Sequence, residues 1–162
     1  MKNDILLKKY LDTLQVNVIY SEVKDIAPTW NANKLKLSYN KIYFVFEGEA
    51  NIEIKGRKYI IKPHQFILIP QGTEHSYSLT EKKKLYKYWC HFTADTGSGD
   101  IFNLLGIPEE LYVTDIDGND EKRLKSLFTK TFSVNANTTA EILSQKAALI
   151  EVISVFISKA EP

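Results

Sequence analysis

The chain has a single cysteine, Cys90, so no disulfide can close within it whatever its fold. It also lacks an excess of either charge: 21 Lys and Arg stand against 20 Asp and Glu, a formal net charge of +1. That balance offers no basic footprint for a phosphate backbone, and it argues against nucleic acid as a direct partner of these 162 residues. No apolar run approaches the roughly 20 residues a helix needs to cross a bilayer. No internal repeat and no low-complexity linker interrupts the chain, and the start from Met1 to Asp4 does not read as an export signal. With the lone cysteine, this leads to the expectation of a reducing, cytoplasmic setting. The length suits one domain that buries its own core.

What the chain does have is a series of short β-type runs separated by turn residues. Val16 to Val23 alternates, and Pro28 to Asn33 reads as a loop carrying Trp30, an aromatic able either to cap a core or to stack on a ligand. Leu35, Leu37 and Tyr39 alternate with polar residues. From Lys41 to Phe46 both parities are apolar, with Tyr43 and Val45 on one face and Ile42, Phe44 and Phe46 on the other. A strand buried on both faces needs a second layer over its outer side. Gly48 and Gly56 supply turns around a half-wet strand from Ala50 to Ile54. Phe66 to Ile69 runs into a turn at Pro70-Gln71-Gly72, and the chain resumes at His75 and Tyr77 on one face. In the strand from Leu85 to Phe92, Leu85, Lys87, Trp89 and His91 share a side. A lysine, an indole and an imidazole make a poor dry core but suit a polar pocket with an aromatic wall. Lys87 either points inward, which costs several kcal/mol unless paired or solvated, or carries its ammonium to the rim.

Residues 4–15 fit a short helix or an arm, and periodicity does not decide between them. After about Asn119 the period becomes helical, with Leu124, Leu127, Phe128 and Phe132 behind an Asn119-Asp120-Glu121 start. Thr138 and Glu141 form a capping-box pattern opening a second helix that runs to about Lys159. Its later part is apolar almost all round, so one face of a sheet cannot cover it. A second copy of the chain is the expected partner, with Leu149, Val152, Ile153 and Phe156 as the contact.

The run Pro70-x-Gly72-x-x-His75 is similar to the second motif of the cupin barrels, and the stretch from Tyr43 to Glu49 resembles the end of their first. With Trp89-x-His91-Phe92 and the helix pair that follows, residues 15–160 resemble the N-terminal effector-binding domain of AraC-type transcription regulators. The resemblance implies a mainly β fold: a cupin-like antiparallel β-barrel or jelly roll over residues 1–100, followed by two helices in a dimerisation segment over 101–162 packed on it. Cupin enzymes hold a metal with two histidines and a glutamate of the first motif and a histidine of the second. The first-motif positions here fall near Leu35, Leu37 and Lys41, leaving His75 alone, where a catalytic metal takes about three protein ligands. No metal, other cofactor or catalytic residue is therefore expected. His64 stands where the family often has a turn glycine.

In AraC-type domains the ligand pocket lies inside the barrel, and its residues carry over to Tyr77, Lys87 and Trp89, the face already read as pocket-lining. His75, Tyr43 and Trp30 complete the candidate ligand set; His75 serves equally as a hydrogen-bonded turn residue, and His91 reads as structural. The implied function is a dimeric sensor for a small polar effector such as a sugar or sugar derivative. Such a sensor reaches DNA through a helix-turn-helix domain that is missing from this sequence, and it has no membrane partner. The alternative is a metal-free cupin enzyme, such as a sugar isomerase or epimerase, with His75 as base and Tyr77 or Lys87 as acid. A third reading is a module that only dimerises.

Overall fold

The structure, a computed structural model, describes residues 4–107, 109–131 and 136–160, so Phe132 of the first late helical pattern lies outside the described residues. A short helix α1 (Asp4–Leu11) leads into β1 (Gln15–Asp25), β2 (Asn31–Leu35), β3 (Asn40–Gly48), β4 (Ala50–Ile54), β5 (Arg57–Ile61), β6 (Gln65–Ile69), β7 (His75–Leu79), β8 (Leu85–Thr96) and β9 (Gly99–Asp100). A one-turn helix α2 (Ile101–Leu104), a short strand β10 (Tyr112–Asp115) and two longer helices, α3 (Gly118–Thr131) and α4 (Thr139–Ala160), complete it. All the strand pairs are antiparallel. One sheet runs β1-β8-β3-β6-β10 with β9 beside β8, and the second runs β2-β7-β4-β5.

The two parities of β3 divide the core in two. Tyr43 and Val45 point between the sheets, where they pack with Ile52, Ile61, Ile67, Ile69 and Leu85. Ile42 and Phe44 point outward with Phe66, Leu68, Tyr88 and Phe92, and they are covered by Leu124 and Phe128 of α3 and by Leu149, Val152 and Phe156 of α4. The late helices are thus the layer that a strand apolar on both faces requires. Phe128 stacks on Tyr88, centroids 3.5 Å apart, and Phe156 meets Phe66 edge-on at 5.6 Å.

Local chemistry sets the helix ends. The capping box forms: Thr138 Oγ1 accepts from the Glu141 amide at 3.2 Å, and the Glu141 carboxylate accepts from the Thr138 amide at 3.0 Å. α3 starts one residue earlier than Asn119, because Asp117 is the cap and accepts from the amides of Asn119 and Asp120. Gly48 lies at φ +82 beside the Lys84 carbonyl, a position a side chain cannot share. His64 takes the left-handed conformation itself, φ +66, so the turn survives without glycine.

Three expectations change. The strand read over Leu35 to Tyr39 lies earlier, as β2 at Asn31–Leu35, so the end of the stretch read as a loop, at Asn31 and Ala32, is paired with β7. The segment 101–162 is not purely helical, because β10 pairs with β6 and extends the barrel sheet. Leu149, Val152, Ile153 and Phe156, expected at a dimer contact, are all buried within the chain. They fill the space over the sheet, and α4 presents other residues outward.

Candidate functional site

The space between the sheets is not completely filled. Near the β1 end of the six-stranded sheet a cavity of about 240 Å³ is lined by Lys24, Ile26, Ala27, Trp30, Lys41, Tyr43, Tyr77, Lys87, Trp89 and His91. Strand parity builds it. β3 contributes Lys41 and Tyr43, β8 contributes Lys87, Trp89 and His91, and the register sets Lys41 opposite His91, Tyr43 opposite Trp89 and Val45 opposite Lys87. β7 brings Tyr77 from the facing sheet, and Trp30 closes over it, the two rings stacked at 4.0 Å.

Lys87 points inward and is 2% exposed, so the rim alternative does not hold. Its Nζ lies 3.3 Å from the ring centre of Tyr43, 4.4 Å from Trp30 and 5.4 Å from Trp89. Complete burial, and then the like charge of Lys41, lower its pKa well below the ordinary lysine value. Lys41 is also buried; burial brings it from 10.5 down to about 8. Its Nζ is 3.0 Å from His75 Nε2 and 5.0 Å from the Tyr77 ring centre. His75 Nδ1 donates to the Thr73 carbonyl at 2.9 Å, so in the neutral ring Nε2 accepts from Lys41. Burial and the neighbouring Lys41 and Lys87 hold His91 down to about 4, an uncharged ring tilted against Tyr39 at 4.9 Å. Lys24 stands at the exposed edge, 5.7 Å from the Trp89 ring centre and 3.5 Å from Glu22.

Every sequence-derived candidate meets here: Tyr77, Lys87, Trp89, Tyr43 and Trp30 line the cavity, and His75 touches it through Lys41. Lys41 and Lys24 were missed as cavity residues. The signal for Lys41 was its parity with Tyr43, obscured because it fell on a vacated metal-ligand position.

The donor set does not suit a metal. The Nε2 of His75 faces an ammonium, Leu35 and Leu37 offer no donor side chain, and no cluster of three or more His, Cys, Asp or Glu occurs among the described residues. Among the described residues no Asp or Glu lines the cavity. Chemically it is a cationic space with aromatic walls, able to hold a small anion with an apolar face.

Two facing antiparallel sheets with the cavity between them and helices behind one of them define a cupin-like sandwich. The family model of the ethanolamine utilisation protein EutQ matches residues 13–96, about half of the chain, and the chain belongs to that family. No curated protein matches it. Among solved structures, an apo lysine-to-alanine variant of ToxT from Vibrio cholerae is similar over 91% of this chain and 56% of its own, at 19% identity and a TM-score of 0.50. A Cupin 2 conserved barrel domain protein from Salinispora arenicola is similar over 50% of this chain and 77% of its own, at 14% identity and a TM-score of 0.39. The EutQ protein of Clostridium difficile is similar over 48% and 67%, at 19% identity and a TM-score of 0.36. These likenesses are of fold, and this chain spans about half the length of the ToxT chain. No helix among the described residues is long and apolar enough to cross a membrane.

Proposed function

We propose that this chain is the ligand-sensing and dimerising domain of an AraC-type regulator, and that its cavity takes a small anionic effector, a sugar acid or similar carboxylate. The observation that carries the reading is a pair of buried lysines, Lys41 and Lys87, in a cavity without a carboxylate. Burying two lysine side chains without a carboxylate partner costs stability whether they keep or lose the proton, so a fold that retains both is organised for something other than its own stability. An anion entering the cavity supplies the missing counter-charge, and the indole of Trp89 offers a flat face to a sugar ring. The family name refers to ethanolamine, whose ammonium group the charged Lys41 and Lys24 would repel.

Dimerisation in this reading uses the outward face of α4. Leu143, Ala147, Ile150 and Ser154 are exposed at i, i+4, i+7 and i+11, the spacing of a two-helix seam. The enzyme alternative finds less support, because the Nε2 that a base would use is engaged by Lys41.

A melting screen tests the ligand class. At 100 times its dissociation constant a ligand stabilises the fold by about 2.7 kcal/mol. Sugar acids should raise the melting temperature and the matching neutral sugars should not; Trp89→Ala should abolish the shift and Lys87→Met should weaken it. Equal shifts from neutral and acidic sugars in all three proteins would refute the assignment.

A further inference from the structure

We propose that Lys87 is a covalent capture site: its Nζ forms an imine with a small carboxylic acid that also carries a keto or aldehyde group. The inference rests on the reading of the cavity as an anion site, and it adds a bond and a substrate class to that reading.

Geometry sets Lys87 apart from the other lysines among the described residues. Its Nζ is enclosed by the rings of Trp30, Tyr43 and Trp89, makes no hydrogen bond or ion pair among the described residues, and opens on a cavity with room for a molecule of several carbons. Ring faces favour the ammonium. Complete burial and the like charge of Lys41 act the other way and prevail. The charged and titratable groups around the amine are Lys41, Lys24, Tyr43, Tyr77 and His91, and none of them is an acid that could hold it as an ammonium. An amine freed of its proton in an apolar box beside a second cation is the arrangement that makes a lysine nucleophilic. Lys41 lines the same cavity and keeps its own proton more readily, so it can bind the carboxylate and supply a proton.

The step balances. The Lys87 lone pair adds to the carbonyl carbon, a C–N bond forms, and the carbonyl π pair moves to oxygen, which takes a proton from Lys41. The nitrogen gives up its two protons in turn, one of which restores Lys41. The carbinolamine hydroxyl leaves with a proton as water, and a C=N bond remains. No oxidant or reductant takes part.

Reductive trapping tests this. The intact protein is incubated with pyruvate and sodium cyanoborohydride, then mapped by peptide mass spectrometry, with lactate as the partner ligand that has a hydroxyl in place of the carbonyl. The expected result is a single carboxyethyl group on Lys87, formed before any on the exposed Lys36 and Lys62, and lost in Lys87→Arg and in Lys87→Met. Adducts spread over exposed lysines, with Lys87 unmodified, would overturn the imine. Should pyruvate and lactate then raise the melting temperature equally, the anion site stands without the covalent step. Should neither raise it and no adduct form, the anion site falls as well.

Discussion

The ammonium of Lys41 donates to Nε2 of His75 over 3.0 Å, so the imidazole at the second-motif position of the cupin pattern is already occupied by a cation. A lysine at a first-motif position therefore does more than leave a ligand out. It places a positive charge where a metal would need an electron pair.

Burial of Lys41 makes stability depend on pH in a defined direction. Its value is 10.5 in the unfolded chain and about 8 in the folded one. Below about pH 8 both states hold the proton and the folded chain bears the full burial penalty; between about 8 and 10.5 the unfolded chain binds more protons, so stability rises with pH. The shift corresponds to about 3 kcal/mol, against about 1.5–3 kcal/mol for a hydrogen bond donated by a charged group such as this one to His75. Lys41→Met should therefore stabilise the fold only slightly, by about 1 kcal/mol at neutral pH, with the advantage shrinking towards pH 10.5. Urea denaturation at several pH values reads this directly, and a variant less stable than the parent at pH 7 would reverse the conclusion.

Incubation with zinc, manganese or iron(II), followed by gel filtration and elemental analysis, should leave no stoichiometric metal on the protein. Lys41→Met should not change that result, because one imidazole remains too few ligands. About one bound metal per chain in either protein would contradict the assignment.

If α4 pairs with a second copy, charges on its outer face should separate the copies and spare the fold. Leu143 is 62% exposed and Ile150 45% exposed, and the double change Leu143→Glu with Ile150→Glu should shift sedimentation from dimer to monomer with an unchanged melting curve. Leu149→Glu, directed into the core, should instead destabilise the fold by several kcal/mol. An unchanged dimer in the double variant would move the interface elsewhere.

Gly48 permits the sharp exit from β3. A Cβ there would lie 2.1 Å from the Lys84 carbonyl oxygen, on a backbone at φ +82. Gly48→Ala should cost about 2 kcal/mol or more, from left-handed strain and a clash with main chain that cannot rotate away. Thermal denaturation checks it; a loss below about 0.5 kcal/mol, the range of an ordinary surface change, would show that the turn relaxes.

The parts of the fold legible from the residues were those with strong parity. β3 and β8 alternate so clearly that their inner and outer rows follow from counting by two, and the Thr138 capping box fixes the start of α4. β2 was misplaced because Asn31-Ala-Asn-Lys-Leu has poor strand formers and a left-handed Lys34 at its bulge, so its pairing comes from β7 and not from propensity. β10 is four residues long, too short for a pattern, although Tyr112, Val113 and Thr114 are each strand formers. The dimer residues misled because an apolar circumference does not say which side faces home. The sheet's outer row, Ile42, Phe44 and Phe66, claims Leu149, Val152 and Phe156.

Consecutive residues of β8 serve opposite compartments. Trp89 lines the cavity, while Tyr88, one peptide earlier, lies flat on Phe128 of α3. The sheet is one chain thick, and on the helix side the close-packed rings leave little slack to absorb a displacement. Tyr88→Leu should accordingly leave effector binding intact while abolishing any effector-dependent change in amide exchange along α3 and α4; an undiminished change would place the connection elsewhere. Should an effector occupy the cavity, the shortest route from it to the helices is this strand, across a single peptide bond.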